Sequence, residues 1–486
     1  MTLDAAGNHP VTVHYASRDG AAHAASDYTA TSGTLTFNPG ETSQTISVPL
    51  LNDVLVEPAE IFSMILSAPT GGGTLEDASG DGTIVSNDDT TLRIKAGGTI
   101  AKWRDVDGDI VTLTATKAVL DAGDFVFEPR GILGGEQLVA LHLGDDFARH
   151  VGLSFVAKRN PAFASADGFV NVGLIDANGL DLGIVTIDGD IGRILAGDAD
   201  ATTASIKSLT AQSLGVFGTS TQDADGSTVS VFTGKAKSIA IAGFVSGSLV
   251  FDGGEGTPAL GTAGSITIGG DLLGGAAKYS GSIVASGSIG SVTIGGTLRG
   301  GSTGGTGIFS GGSIGALSIG AVLGDSAGFP VVIAAQGFTN PTAATALAIG
   351  SLTVAGTVQN ADIRAGFSIF GVAVSHSVAI GKVKVKGDWI ASGIAAGVEP
   401  GNDGYFGDAL DTIIAGGNEI ASSIAKIVIR GKLFGTPDAV SPQDHFAFTA
   451  SKIGVFKLAG ALIPLQANVR DDVLVGTSGD VRIREV

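Results

Sequence analysis

Three stretches decide the fold: GSITIGGDLLGG (264–275), GSIGSVTIGGTLRGG (287–301) and GSIGALSIGAVLGD (312–325). They are one phrase written three times. Ile268, Ile294 and Ile319 hold equivalent places, 26 and 25 residues apart. A repeat of that period marks a stacked architecture in which each unit buries its apolar face against its neighbours. Within the phrase apolar and small polar residues alternate. Val292 and Ile294 are expected to point inward, Thr293 and Gly295 outward, which is the period of a strand and not of a helix. The unit therefore reads as one coil of a parallel β-solenoid.

Working outward, the same phrase places a Gly at 189, 243, 270, 296, 356, 387, 431 and 460, with Ser213 and Ala321 filling the place twice. Spacing runs from 24 to 44 residues, so some coils are expected to carry insertions. The plainest begin at Asp325 and Val398. About ten coils at the ordinary strand separation would make a rod of roughly 50 Å. Long runs of this phrase resemble Gly-rich repeat regions of large bacterial surface proteins.

Composition agrees with many short strands. Of 486 residues, 44% are apolar, 15% charged, and 76 are Gly. Disorder would need low hydrophobicity and high charge. Cysteine is absent, which excludes a disulfide framework and thiolate metal sites. The net charge of −19 and the lack of a visible basic stripe argue against a nucleic-acid partner. No apolar run is long enough for a membrane-spanning helix. The start, MTLDAAGNHP, lacks the basic and apolar regions of a signal peptide. The chain is thus expected either to be cytoplasmic or to begin inside a longer one.

Residues 1–89 read differently. Val11, Val13 and Tyr15 share a face, as do Leu35 and Phe37, then Ile46, Val48 and Leu50, then Phe62, Met64 and Leu66. Turn signals separate them, the pattern of a Greek-key β-sandwich. Twelve Asp and Glu stand here against Arg18 alone. Such density is either a solvated face or a cation site.

The segment VHYASRDGAAHAASDYTATSGTLTFNPGETSQTISVPLLNDVLVEPAEIF (13–62), closed by GTIVSNDD (82–89), resembles a Calx-beta domain. The likeness lies in the SDY turn, the SGTLTF hairpin, the ND…E..E..F strand opening and the terminal NDD. It implies that the family's first strand and most of its second precede Met1, so a truncated or mis-started chain is expected. It also implies calcium held at one end of the sandwich. Carried over, the ligand positions are Asp27, Asp53, Glu57, Glu60 and Asp88. Ca²⁺ takes six to eight oxygens from converging loops, as such an end supplies. Asn52, Ser86 and Asn87 stand where calcium-binding members often carry Asp. One or two ions, bound in the micromolar to millimolar range, are therefore expected.

Residues 90–180 read as a β cap that begins the solenoid. Ile110, Thr112 and Thr114 share one face of a strand; Val111, Leu113 and Ala115 share the other. Asp105, Asp107 and Asp109 form an Asp-x-Asp-Gly-Asp turn that can wrap Ca²⁺ or serve as a hairpin turn. Trp103 is expected in the core.

Catalytic signals are slight. Gly311-Gly312-Ser313-Ile314-Gly315 matches a nucleophile-elbow pattern but lies inside the repeat phrase, where no strand-to-helix turn is available. Asp188, Asp190, Asp198 and Asp200 cluster in sequence near Arg193, as carboxylates do in β-helical polysaccharide lyases and hydrolases. Solvated turns explain them equally.

The expectation is an all-β chain: a Calx-beta-like Greek-key sandwich (1–89), a cap (90–180) and a parallel β-solenoid (181–486). It would be a secreted or cell-surface protein of structural or adhesive function, not an enzyme. Its partners would be other surface proteins or polysaccharide. The alternatives are a β-helix polysaccharide lyase or hydrolase, and an inert repeat segment of a giant surface protein.

Overall fold

The computed structural model describes residues 1–51, 59–85, 92–129, 135–144, 148–198, 200, 202–217, 228–254, 260–276, 280–302, 305–325, 329–338, 340–402, 406–436, 446–466 and 470–486. Among these residues the regular structure is strand throughout, apart from one 3₁₀ turn at Ala122–Asp124. No helix of the described residues is long and apolar enough to cross a membrane.

Strands β1 (Val11–Arg18), β2 (Ser32–Phe37), β3 (Glu60–Ser67) and β4 (Ser79–Ile84) form an antiparallel sheet in the order β2-β1-β3-β4. Alternation sets the register: Val13 faces Leu35, and Tyr15 faces Leu66. Two small cores result, one around Val13, Leu35 and Phe37, the other around Ala22, Tyr28 and Phe62. The alternating stretch Ile46–Leu50 departs from expectation. Ile46 and Val48 do pack against these cores, but the stretch forms no ladder of its own. Its bridge pairing is isolated, Leu50 with Tyr28.

The remaining strands, apart from Val398–Glu399 and Thr412–Ile413, belong to a second, larger sheet system. It opens with β5 (Arg93–Ile94), β6 (Ile100–Arg104), β7 (Ile110–Ala115), β8 (Phe125–Pro129), β9 (Glu136–His142), β10 (Val151–Lys158), β11 (Val170–Asn178) and β12 (Leu182–Gly197). Here β6 pairs antiparallel with β7, and β7 with β10. From β10 to β12 the pairing turns parallel and stays so between the phrase strands as far as Lys452–Leu458, which closes antiparallel on Ala461–Ile463.

The phrase strands then pair each with the next. Ile187, Ala211, Ile241, Ile268, Ile294, Ile319, Val354, Val385, Ile429 and Leu458 follow one another in register along a first ladder. Like lies upon like, and the inward set is dry: Val292 and Ile294 are each 1% exposed while Thr293 is open to solvent. A second parallel ladder runs through Leu249, Ile283, Ile308, Ile333, Ile363, Ile394, Phe448 and Ile483. A third, narrower one links Leu272, Leu298, Val322, Val358, Trp389 and Leu433. The inward residues of all three meet in one continuous buried cluster, which also takes in Trp103. Burying each such side chain stabilises by roughly 1.5–3 kcal/mol.

The stretch from Asp325 is not simply an inserted loop. Val331–Ala335 within it is a strand of the second ladder. The stretch from Val398 does lie outside the ladders: Val398–Glu399 pairs with Thr412–Ile413 as a separate small ribbon.

Candidate functional site

The SDY turn sits between β1 and β2 and is locked by side chains. Asp19 Oδ1 accepts from the Tyr28 hydroxyl (2.6 Å) and the Ala24 amide (2.9 Å). These bonds, with the His23 charge, hold the Asp19 carboxyl below the usual range. Tyr28 stacks on Phe62 at 4.7 Å between ring centres, which ties the turn to β3. Asp19 has no role in the sequence reading above; its place nine residues before a buried Tyr is the signal that points to it.

Asp27 follows in the same turn and is 6% exposed. One of its oxygens accepts the His23 amide at 2.6 Å. Glu60 opens β3 beside it. Burial first, then the charge and hydrogen bond of Asp27, push the Glu60 carboxyl above its usual range. Asp27 is buried and Glu60 partly so, and neighbouring carboxylates repel unless a proton or cation lies between them. The structure thus brings together two of the five expected ligands, and their chemistry fits a divalent cation. Asp53, Glu57 and Asp88 lie outside the described residues, as do Asn52, Ser86 and Asn87.

A second acidic group stands in the β6–β7 hairpin. Asp105, Asp107 and Asp109 each offer an oxygen within 4.8 Å of the others, an arrangement that could hold a metal. The turn is a hairpin as well: the Gly108 amide donates to the Asp105 carbonyl (3.1 Å), and Gly108 takes φ +103°. Asp109, fully buried, accepts the Asn160 amide (2.9 Å) and the Gly168 amide (2.5 Å). Asp167 joins from the same loop, its amide donating to Asp107 (3.0 Å). Burial and the hydrogen bond to Asp107 push the Asp105 carboxyl up to about 9. Asp167 is raised too, chiefly by burial. Its part went unread because it lies some sixty residues away in sequence.

The carboxylates near Arg193 are dispersed. Asp188 accepts from Gln212 (3.3 Å), Asp190 is buried against Ser213 (2.5 Å), Asp198 pairs with Arg149 (2.9 Å), and Asp200 caps Thr202. Ser313 rests on the Ser288 hydroxyl at a corner between two ladder strands.

Against known proteins, residues 3–90 match the Calx-beta domain family model. Sodium/calcium exchanger 1 of Mus musculus is 42% identical over 77 residues, and that of Felis catus 39% identical over 82. These alignments cover 16% and 17% of this chain and 8% of either exchanger, so the chain spans a small part of the relatives' length. Among solved structures, the apo-form Calx CBD1 domain is 27% identical over 17% of this chain and 73% of its own, with a TM-score of 0.16. The calcium binding domain CBD12 of CALX1.1 is 22% identical, covering 24% of this chain and 53% of its own, with a TM-score of 0.18. The chain carries a Calx-beta domain at residues 3–90, the kind of module found in the sodium/calcium exchangers.

Proposed function

We propose that this chain is a calcium-binding structural or adhesion protein of the secreted or cell-surface kind. Its Calx-beta module (1–89) is carried, through a β cap (90–180), on a β-solenoid stalk (181–486). The calcium reading is carried by the placement of Asp27, in a turn held against β3 by the Tyr28–Phe62 stack, near Glu60 at the head of that strand. It sits in a domain whose relatives include a structure named for calcium binding. The stalk reading rests on three parallel ladders that share one buried cluster.

Asp27 and Glu60, with Asp53, Glu57 and Asp88, would hold the ion. Its chemistry is electrostatic: it neutralises carboxylates that otherwise repel and so stiffens the end of the sandwich. The weaker charge complement places binding in the micromolar to millimolar range.

Calorimetric titration of the full chain with Ca²⁺ tests this, using Asp27→Asn/Glu60→Gln and Asp105→Asn/Asp109→Asn side by side. We expect saturable heat that the first pair of substitutions weakens by about tenfold or more. Heat lost only in the second pair would move the ion to the β6–β7 turn. No heat in the parent chain would end the calcium reading.

A further inference from the structure

The linear sequence shows no basic stripe, yet strand pairing builds one. On the first ladder, Lys382, Lys384 and Lys386 alternate with Val383 and Val385, both fully buried, so the three lysines face away from the core. Lys426 and Arg430 leave the next strand on the same side, alternating with Ile427 and Ile429, and Lys457 leaves the one after it. The register sets them against each other. Lys382 stands opposite Lys426, and Lys384 opposite Val428, which stands opposite Lys457. The Arg430 amide bonds to the Val385 carbonyl, which seats Arg430 beside Lys386.

The six cations thus share one outward face, on which neighbouring strands lie about 4.8 Å apart and same-face positions about 6.6 Å apart along a strand, with Lys457 two strands away from Lys384. None of the six forms an ion pair with a described residue. Asp388, just beyond Lys386, uses an oxygen to accept the Lys432 amide at 2.7 Å. Like charges set directly opposite one another oppose folding. In a chain of net charge −19, a concentrated and unneutralised basic grid points outward to an anionic partner.

The neighbouring surface narrows the partner. Toward the N-terminal side the same outward positions are mostly hydroxyls: Ser351 and Thr353 stand opposite Lys382 and Lys384, Ala316 and Ser318 come next, then Ser291 and Thr293. A reader of single-stranded nucleic acid sets aromatic rings among its cations for bases to stack on. The outward positions of this ladder from Ser238 to Ala459 hold none. A flat strand face also offers no element to enter a duplex groove. A regular grid of cations continued by rows of hydroxyls matches a linear chain that carries both anionic and hydroxyl groups along its length.

We propose that the outward face formed by Lys382, Lys384, Lys386, Lys426, Arg430 and Lys457 binds an acidic polysaccharide. This takes the surface role above as its setting, but it concerns residues remote in sequence from the calcium ligands, and its test does not depend on calcium. Binding of the full chain to polygalacturonate is measured in EDTA, with neutral dextran and duplex DNA as comparators. The variants are Lys382→Gln/Lys384→Gln/Lys426→Gln/Lys457→Gln and, as control, Lys207→Gln/Lys237→Gln on coils outside the patch. We expect polygalacturonate to bind at low ionic strength, to weaken at about 0.3 M salt, and to lose about tenfold or more in affinity in the fourfold variant alone. The melting temperature of that variant should hold or rise, since repulsion is relieved. The proposal is overturned by absent binding, by equal loss in the control, or by tighter binding of DNA than of polygalacturonate.

Discussion

Asp105 shows how burial turns one carboxyl into a stability term. It is 7% exposed and lies against Asp107, which pushes its titration up to about 9. In the unfolded chain it would titrate near 4. The folded state therefore holds a proton that the unfolded state has released across that interval, so stability falls as pH rises from about 4 toward about 9. In EDTA, the melting temperature should decline over this range, and Asp105→Asn should flatten the decline. A melting curve whose slope with pH is the same in the variant would show that Asp105 is already ionised when folded. The Asp-x-Asp-Gly-Asp spacing was legible as a turn that can take a cation, and the structure keeps both features. Asp167 was not legible, because only the loop before β11 brings it to Asp107.

At the scale of the element, the repeat's glycines reflect crowding between neighbouring ladder strands. Gly264, Gly290, Gly315, Gly350 and Gly381 stack along the first ladder, and a Cβ on any of the last four would strike the carbonyl oxygen of the one before. No rotamer change relieves a clash with backbone, so the coil itself must shift. Gly290→Ala should cost about 1–3 kcal/mol by denaturant unfolding, whereas Thr293→Ala, on the open face, should stay within about 0.5 kcal/mol. Equal costs at the two sites would show that the coil spacing is looser than the ladder implies. This ladder was legible because its inward face repeats in type and its outward face is polar. The second was not. In Val331–Ala335 four of five side chains are buried, and Phe367, Phe406 and Ile414 form a separate apolar cluster with Ala395 and Ala447 of its later strands. With both faces apolar, alternation disappears, and the strand passes for an insertion.

Over the whole molecule, the cores formed by the described residues are separate. The β1–β4 sheet packs around Val13 and Tyr28 in two small clusters, while the ladders share one large cluster that neither joins. Stability in a stacked array is carried by each unit and its nearest neighbours. An aspartate in place of Ile294, which is 1% exposed, must desolvate a charge in an apolar interior, a cost of several kcal/mol. That cost should spread first to the strands in register, Thr262–Ile268 and Ile314–Leu323. Hydrogen exchange of Ile294→Asp should therefore show protection lost in these strands and their ladder neighbours, while β1–β4 keep theirs. Addition of Ca²⁺ should act in the opposite sense, raising protection in β1 and β3 and leaving the ladders unchanged. If the substitution and the ion each moved both regions together, the two cores would be one cooperative unit and the proposed division of labour between the β1–β4 module and the ladders would fail.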